Sequence, residues 1–553
     1  MVDPAPTANY YGTHVDDLLT ALEEATRATP KGGPAAFVPP SGGELNQVEA
    51  AFHHLIWGRR GSGKTSLLRH LEAEHRRQSL VSVWIDEELF MALSYPDVLV
   101  SSVLEVVRGV RTAAGTLHGD TEKSWWRRLV DRLKRPSGSF SALDQAITNL
   151  ETLRQLPNDR EIQWTRSTET GRNVDAIGSV KAGPIKGQLG ESTTEQESVN
   201  SVETVVTSKE EYLERSLDET RRLLTASLEG IDGGFVFLDE FYRVQRPDQP
   251  KVLGYMHRLL KDTGLWLKVA SVRYRTTPYR GGDPPIGMQP TQDANEVSLD
   301  RGLQLFDATK QFLEQIIENI ATSKDVDIHD LMTTGALTRL VVASGGVPRD
   351  YLRLAREAIR HARNRGPSDK QGSNKVIAED VNSAAGQTAE PKIADLRADA
   401  PNEAAELESL LEDLGEFCRH NQVAYFLVDQ RDPDLTKQID QLQDLRLVHL
   451  LLDGETVPNA GSRRHRVLLL DVAYLSFKRA RQVDFEGWND RSKRRALRLI
   501  YSKGAGAGAS TLNQGGAAKV QPTLPGGDST ESELATLPLF AVEDANGTEP
   551  PPK

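Results

Sequence analysis

The sequence is poor in cysteine, and this scarcity excludes whole classes of protein. Cys418 is the one cysteine among 553 residues, so a disulfide framework and a cysteine-rich zinc site are both excluded. We expect Cys418 to be a buried small apolar residue. A chain without disulfides suits a reducing compartment, and we therefore expect a cytoplasmic protein.

Long apolar runs and a surplus of basic residues are also lacking. No run is long enough to span a bilayer, and the start MVDPAPTANYYGTHVDD has neither a basic region nor an apolar signal core, so we expect no membrane association. With 67 Lys and Arg against 79 Asp and Glu, the formal net charge is -12. Nucleic acid should therefore not coat the whole surface, and any contact should be regional.

Against these absences stands a glycine-rich loop within HLIWGRRGSGKTSLLRHL. An apolar run precedes the loop and leucines at helical spacing follow it, which is the context that a phosphate loop requires. The predicted nucleotide-binding residues are Gly58, Arg59, Arg60, Gly61, Ser62, Gly63, Lys64, Thr65 and Ser66. Backbone N–H groups would converge on the phosphates, Lys64 would reach the terminal ones, and Thr65 would ligate Mg²⁺. The alternative, a turn that binds nothing, requires both flanks to match by chance.

A second motif, FVFLDE, has the features of a buried strand that ends in two acids. Asp239 would hold a magnesium-bound water, and Glu240 would orient an attacking water. Two acids after an apolar run also occur by chance, but here a phosphate loop lies upstream. We therefore predict that ATP is both bound and hydrolysed, with Mg²⁺ as cofactor.

Two arginines are candidates to complete the site. Pro348 in SGGVPRDYLRL suits a first helical turn, so Arg349 would project from the start of a helix towards the terminal phosphate. Arg273 follows the predicted strand in VASVRYR and is a candidate catalytic residue. A solvated arginine at a strand end is an equal alternative for Arg273. Ser271 is a weaker candidate at the same place.

Strands that alternate with helices predict an α/β fold, a phosphate-loop parallel sheet covered on both faces and followed by a helical lid. A small α+β unit with a winged-helix-like order comes next. The predicted boundaries are an N-terminal extension at 1–44, the ATPase core at 45–326 with a polar, loosely ordered insertion at 113–207, the lid at 327–390, the winged-helix-like unit at 402–485 and a disordered tail at 503–553. Within the insertion, SVKAGPIKGQLGESTTEQES is typical of a short hairpin.

The C-terminal unit is a candidate DNA-binding surface. Arg463, Arg464 and Arg466 lie in or beside the predicted wing and are the best phosphate contacts if double-stranded DNA is bound. However, the helix LTKQIDQLQDL is nearly neutral, unlike a helix that reads bases. Protein contact or domain packing is therefore an equal alternative. The basic helix with Trp125 and Trp126 should dock on a partner or on the core rather than stack on bases.

These motifs together resemble the origin-recognition-complex-type ATPases of the AAA+ class over most of residues 45–480. The resemblance implies that Lys64 and Thr65 form the first nucleotide motif, that Asp239 and Glu240 form the second, and that Arg349 is the second sensor. It also implies a winged helix after the lid.

The first sensor departs from the pattern of that family. Archaeal and eukaryotic members usually present an asparagine there, whereas this chain offers Ser271 or Arg273. An arginine at this place looks like the STAND ATPases, many of which act in immunity. Bacterial origin-type ATPases resemble accessory proteins of mobile elements and anti-phage systems. We therefore expect a slow regulatory ATPase that switches between ATP and ADP states, acts in anti-phage defence or mobile-DNA function, and works through a protein partner or a homo-oligomer. The alternative is a DNA-binding, initiator-like or transposition-helper ATPase.

Overall fold

The computed structural model describes residues 12–27, 37–40, 42–120, 139–158, 162–169, 179–181, 200–365, 375–456, 463–477, 485 and 499–503. Its strands are β1 His54–Trp57, β2 Val81–Asp86, β3 Ile162–Glu169, β4 Ser179–Lys181, β5 Asn200–Thr207, β6 Gly234–Asp239, β7 Leu265–Ser271, β8 Tyr279–Arg280, β9 Ile286–Gly287, β10 Asn295–Ser298, β11 Tyr425–Asp429, β12 Val448–Thr456 and β13 Arg464–Leu470.

Its helices are α1 Thr13–Ala25, α2 Glu44–Glu49, α3 Lys64–Arg77, α4 Asp97–Asp120, α5 Ser139–Gln155, α6 Lys209–Ser227, α7 Gln249–Leu260, α8 Phe306–Thr322, α9 Ile328–Leu331, α10 Thr334–Ser344, α11 Pro348–Arg365, α12 Ala378–Gly386, α13 Ala389–Asp399, α14 Ala404–Asn421, α15 Pro433–Asp444 and α16 Val472–Phe477. Within the described part of the chain, no helix is both long and apolar enough to cross a membrane.

A five-stranded sheet with the order β10-β1-β7-β6-β2 forms the centre of the ATPase core, and all its pairs are parallel. Every residue of β1 and β6 is buried, which explains the apolar runs Leu55–Trp57 and Phe235–Leu238 within them. Helix α3 packs its leucines on one face, and α4, α6 and α7 bury theirs on the other. The predicted α/β phosphate-loop sheet is confirmed.

The expectation of a loosely ordered insertion at 113–207 is wrong for its helical part. Helix α4 continues to Asp120, and α5 packs along it. Leu143, Leu150 and Leu153 are buried in the same cluster as the α4 valines. Their helical spacing was the signal, but the polar residues between them obscured it.

The remaining part of the insertion contains a small antiparallel sheet with the order β4-β3-β5. Of the predicted hairpin, Ser179–Lys181 forms β4, which pairs with β3. The rest of the hairpin, the helix with Trp125 and Trp126, and the tail after residue 503 lie outside the described residues.

The lid is a helical layer that includes part of the N-terminal extension. Helix α11 begins at Pro348, as predicted. Helix α1 packs against α11 and α8, and its Asp16 and Glu23 pair with Arg363 and Arg356 at 2.8 Å and 2.7 Å. The segment before residue 44 therefore contributes to the lid rather than only preceding the core.

The C-terminal unit is a three-stranded antiparallel sheet with the order β11-β13-β12, flanked by α14 and α15. One helix lies between β11 and β12, as the sequence indicates. The unit extends past the expected boundary at 485, because Leu427 exchanges backbone hydrogen bonds with Leu499 and Tyr501. The Tyr501 ring packs edge-on against Phe417 and Phe426.

Candidate functional site

The phosphate loop joins β1 to the N-terminus of α3. Gly61 and Gly63 adopt φ angles of 82° and 95°, a region that favours glycine. At Gly61 a side chain would also meet the lid, since an added Cβ would lie 2.8 Å from the Arg349 Cβ. The Ser62 hydroxyl is buried, and among the described residues it has no hydrogen-bond partner. An orphaned donor in a loop at a helix N-terminus fits an anionic ligand.

Lys64 is held inside this loop. It is 4 % exposed, and its Nζ donates to the carbonyl oxygens of Gly58 at 2.7 Å and Arg59 at 3.1 Å. Burial lowers the pKa of Lys64, while the nearby charges of Glu240 and two aspartates oppose that shift. A buried ammonium beside backbone amide donors is the arrangement that a phosphate-binding lysine needs.

The two acids of FVFLDE lie at the carboxyl end of β6, next to the loop. Burial, and then the charge of Glu240, raise the pKa of Asp239 to about 6, against the effect of the nearby Thr65 hydroxyl. The backbone N–H of Glu240 donates to Asp239 Oδ1 at 3.0 Å. The structure thus brings Lys64, Thr65, Asp239 and Glu240 together from two separate segments.

Asp239 and Thr65 are the residues that would hold Mg²⁺. Their oxygen atoms are hard ligands of the type that Mg²⁺ prefers. In the described ranges, no group of three or more His, Cys, Asp or Glu side chains is placed to bind a metal. Mg²⁺ at nucleotide sites usually takes one or two protein ligands, with substrate phosphates and water as the others.

A cavity of about 1070 Å³ opens beside the loop. Its wall includes Lys64, Thr65, Glu240 and Arg349, together with apolar side chains from α8 and α11. The backbone N–H of Arg349 donates to the Gly61 carbonyl at 3.3 Å, and Arg349 Nε donates to the Thr26 carbonyl at 3.1 Å. The backbone of Arg349 therefore contacts the loop, and the contact of its side chain with the terminal phosphate stays a prediction.

Sequence reasoning missed the wall that the N-terminal segment supplies. Phe37, Val38 and Pro40 line the cavity, and the Phe37 ring stacks on His70 of α3 at a centroid distance of 4.2 Å. The apolar pair Phe37-Val38 inside a proline- and glycine-rich stretch was the available signal.

The side chains of the two loop arginines make protein contacts. Arg59 binds Asp300 through its backbone N–H at 2.7 Å and its Nε at 3.3 Å, and it reaches the Gly345 carbonyl and His449 at 3.2 Å and 3.5 Å. Arg60 Nε donates to the Tyr242 hydroxyl at 3.0 Å. Both the backbone N–H and the guanidinium of Arg59 are therefore bound to protein groups, which does not favour the predicted phosphate contact of Arg59.

The structure does not bring the two first-sensor candidates into the cavity wall. Arg273 is about half exposed, pairs with Glu296 of β10 at 3.3 Å and lies over the Trp57 ring. Ser271 is fully buried, and its hydroxyl shares a 2.6 Å hydrogen bond with Thr276. This arrangement favours the alternative of a strand-end arginine over the predicted catalytic role of Arg273.

A buried polar chain connects Arg59 to the C-terminal unit. Burial lowers the pKa of His449 and so favours the neutral ring. With the proton assigned to Nε2, the ring donates to Asp471 at 2.8 Å and its Nδ1 accepts from Arg59. Lys392 donates to the same Asp471 oxygen at 2.9 Å. Burial alone would raise the pKa of Asp471, but Lys392 and His449 outweigh it and bring the value to about 2.

Further charged residues connect the C-terminal unit with the lid and the ATPase core. Arg446 donates twice to Asp350 of α11, at 2.9 Å and 3.0 Å. Burial raises the pKa of Asp444 on α15 to about 7, although Arg275 and Arg59 act in the opposite direction. Charges at the loop, the lid and the C-terminal unit are therefore interlocked.

The three candidate DNA contacts differ in their availability. Arg466 is 21 % exposed and donates to Asp440 of α15 at 2.6 Å. Arg463 is 59 % exposed and 3.9 Å from Asp429, and Arg464 is exposed at the start of β13. Arg466 thus serves the internal structure of the unit, whereas Arg463 and Arg464 present their charge to solvent.

No family model and no curated protein matches the sequence. Among solved structures, the Orc1 protein of Aeropyrum pernix in complex with DNA is similar, with 15% identity, a TM-score of 0.35 and coverage of 85% of this chain and 97% of that chain. A Walker-type ATPase of Pyrococcus abyssi has 11% identity, a TM-score of 0.39 and coverage of 82% and 99%. Cdc6p from Pyrobaculum aerophilum has 12% identity, a TM-score of 0.28 and coverage of 90% and 96%.

The candidate site of this chain consists of a phosphate loop, a buried lysine and two strand-end acids beside a large cavity. The described residues therefore form a phosphate-loop α/β domain, with a helical lid at its ligand cavity and a small α+β unit attached through buried charges.

Proposed function

We propose that the chain is a magnesium-dependent, regulatory AAA+-type ATPase whose nucleotide state controls the contact between the phosphate loop, the lid and the C-terminal unit. The observation that carries this proposal is the convergence of Lys64, Thr65, Asp239 and Glu240 at the carboxyl edge of one parallel sheet, beside a cavity of about 1070 Å³.

Each of these side chains has a distinct role in the proposed reaction. Lys64 and the loop amides bind the terminal phosphates, and the Thr65 hydroxyl and Asp239 hold Mg²⁺. The cation neutralises charge on the phosphate oxygens when it is bound. Glu240, at the edge of the cavity, orients the attacking water and withdraws its proton.

A switch, rather than a simple hydrolase, accounts for the contacts around the loop. The Arg59 side chain reaches both the lid carbonyl of Gly345 and His449 of the C-terminal unit. Arg349 binds the loop from the lid side. A ligand that moves the loop will therefore alter both contacts, and this is the physical basis for coupling nucleotide state to domain arrangement.

The test uses Glu240→Gln. Because the amide keeps the shape but cannot accept the proton, we expect ATP binding to persist and single-turnover hydrolysis to slow by a factor of about 100 or more. A normal rate in this variant would overturn the assignment of Glu240. ADP bound to the purified protein would favour the switch, whereas an empty site with rapid turnover would favour a cycling motor or loader.

The proposed setting is anti-phage defence or mobile-DNA function, through a protein partner or a homo-oligomer. The departure from the expected asparagine at the first sensor supports this setting over chromosomal initiation. The second candidate is a DNA-binding, initiator-like or transposition-helper ATPase. The exposure of Arg463 and Arg464 favours it. The identity of the neighbouring genes would distinguish the two settings, because a gene for a nuclease, a protease or a transposase would indicate the pathway in which the chain acts.

A further inference from the structure

Helix α1 lies along the lid helix α11 in an antiparallel arrangement. Near the start of α1, Asp16 pairs with Arg363 in the last turn of α11 at 2.8 Å. At the other end, Thr26, which follows α1 as its C-terminal cap, contacts Arg349 in the first turn of α11. The alignment therefore brings the C-terminal end of α1 to the end of α11 that lies at the phosphate loop.

Apolar burial fixes this alignment. Val15, Leu18, Leu19 and Leu22 are buried, and Leu18 and Leu22 are fully enclosed. These positions share one face of the helix, and α1 packs that face against α11 and α8. The position of the last turn of α1 is therefore set by packing as well as by its contact with Arg349.

The contact between the two helix ends is a hydrogen bond to a terminal carbonyl. The last carbonyls of a helix have no N–H partner within it and carry the negative end of its dipole. The Thr26 carbonyl accepts from Arg349 Nε at 3.1 Å, and the backbone N–H of Arg349 donates to the Gly61 carbonyl at 3.3 Å. Arg349 is thus fixed from two sides, by α1 and by the phosphate loop.

The rest of the Arg349 guanidinium is available to a ligand. Arginine has five N–H donors, and the bond to Thr26 uses one of them. Among the described residues, Nη1 and Nη2 of Arg349 have no hydrogen-bond or ion-pair partner. Arg349 and Lys64 both line the cavity; burial lowers the pKa of Lys64, and the charge of Arg349 acts in the same direction. Two cations on the wall of one cavity fit a ligand that carries several negative charges.

We propose that α1 is part of the nucleotide site, because the Thr26 carbonyl positions Arg349 so that its two terminal nitrogens bind the terminal phosphate of ATP, which ADP lacks. This inference rests on the proposed nucleotide site, and Thr26 acts in it only through Arg349. The N-terminal helix therefore contributes to the discrimination between ATP and ADP that a switch requires.

Substitutions at the cap of α1 test the role of the carbonyl. Thr26→Pro removes the N–H that donates to the Glu23 carbonyl at 3.1 Å, and the proline ring collides with the carbonyl four residues earlier, so the last turn opens and the Thr26 carbonyl shifts. Thr26→Gly loosens the same cap more mildly. Gln387→Pro is the matched control. Gln387 caps the lid helix α12 with φ -69° and ψ -16°, against -70° and -13° at Thr26, and it lies outside the described cavity wall.

The experiment measures the affinity of the full-length chain for ADP and for a slowly hydrolysed ATP analogue, each with Mg²⁺, by calorimetric titration at a temperature where every variant is folded. Because a hydrogen bond to a charged group contributes about tenfold or more in affinity, we expect Arg349→Ala to weaken binding of the ATP analogue by about 10- to 100-fold and of ADP by less than about twofold. Thr26→Pro should lose about fivefold or more with the same selectivity, Thr26→Gly should lose less, and Gln387→Pro should bind as wild type does. In the Arg349→Ala background, Thr26→Pro should have no further effect, because Thr26 acts through Arg349.

The results that would overturn the inference can be told apart from failure of the proposed function. If Lys64→Ala binds both nucleotides normally, the proposed nucleotide site fails and the inference fails with it. If Lys64→Ala loses both nucleotides but Arg349→Ala or Thr26→Pro binds the ATP analogue normally, the site stands and the role of Thr26 is wrong. Tighter binding in Thr26→Pro would mean that the carbonyl withholds Arg349 from the phosphate. Equal losses for both nucleotides, or an equal loss in Gln387→Pro, would mean a general effect on the lid.

Discussion

The ATPase core and the C-terminal unit use the same charged residue types in opposite ways. In the core, Lys64 and Glu240 both line the wall of a large cavity. In the C-terminal unit, Asp471 and His449 are enclosed together, with Lys392 of α13 as their cation. The first set faces space that a ligand would fill, whereas the second is satisfied by protein partners alone.

This difference shows that charged residues indicate a ligand site only when their surroundings, an open cavity or enclosing protein partners, are also known. A buried ion pair that is fully satisfied contributes to specificity and packing, and removing one partner leaves an uncompensated charge. Charged groups that line a cavity are held in place by strand ends and loops. The free-energy cost of leaving them without a charged partner is offset when a ligand binds. The following variants test whether the two regions differ in this way.

The largest effect should follow Lys64→Ala. Because it removes the charge that faces the terminal phosphates, we expect ATP affinity to fall by about a thousandfold or more, equivalent to about 4 kcal/mol. A fluorescence titration with an ATP analogue measures this loss. Lys437→Ala is the control, since Lys437 lies on α15 and is 71 % exposed. Unchanged ATP affinity in Lys64→Ala would refute the interpretation of the cavity as a nucleotide site.

Asp471→Asn should instead affect stability. It removes the negative charge that compensates the buried Lys392 ammonium, so we expect the free energy of unfolding to fall by about 3 kcal/mol or more. Asp395→Asn is the matched control, because Asp395 is 54 % exposed and lies 3.9 Å from Arg446. Denaturant unfolding of both variants provides the measurement. Equal, small losses would mean that the enclosed charges contribute no more than a surface pair.

Glu87, a buried acid with no ion-pair partner among the described residues, should show the opposite pH dependence to Asp471. Glu87 is fully buried beside Ser102, and burial raises its pKa to about 8. Between about pH 4.5 and 8 the folded state holds a proton that the unfolded state has lost, so this acid lowers stability by about 1.4 kcal/mol per pH unit as pH rises. The depressed pKa of Asp471 gives stability that is lost only as pH falls towards about 2.

Glu87→Gln tests that sign. The variant should gain stability over wild type as pH rises from 5.5 to about 7.5, by about 1.4 kcal/mol per unit, because the titrating group is gone. Unfolding at several pH values measures the difference, with the exposed neighbour change Glu88→Gln as control. A difference that does not depend on pH would show that Glu87 is ionised in the folded protein.

The smallest effect concerns the basic end of the C-terminal unit. If duplex DNA binds there, replacing Arg463 and Arg464 by alanine should lower the salt slope of binding by about two, roughly one for each lost phosphate contact. Any sequence preference should survive, because phosphate contacts do not read bases. Adding Arg466→Ala to this pair should lower stability without a further change in slope, since Arg466 is bound to Asp440. Weak curves that are equal for all variants would exclude this surface from DNA binding.

Much of the candidate site could be predicted because its residues are contiguous. Gly58 to Ser66 form one loop, and Asp239 and Glu240 are neighbours, so spacing alone identified them. Arg349 followed from a local rule about proline in a first helical turn. The apolar pair Phe37-Val38 gave a weak signal for the cavity wall, but the contact of Phe37 with His70 and the link between Arg60 and Tyr242 join residues that lie far apart along the chain.

The sequence by itself determined the alternation of strands and helices, the phosphate loop and the two acids that follow β6, because these depend on local spacing and on apolar runs that must be buried. Tertiary structure alone decided which charged side chains are bound to other residues and which face solvent or the cavity. Arg59, Arg60 and Arg466 are similar in the sequence, yet each is bound to a residue that folding brings close: Asp300, Tyr242 and Asp440. The free energy of a charge depends on its partners and on its burial, and both are set by packing between distant segments.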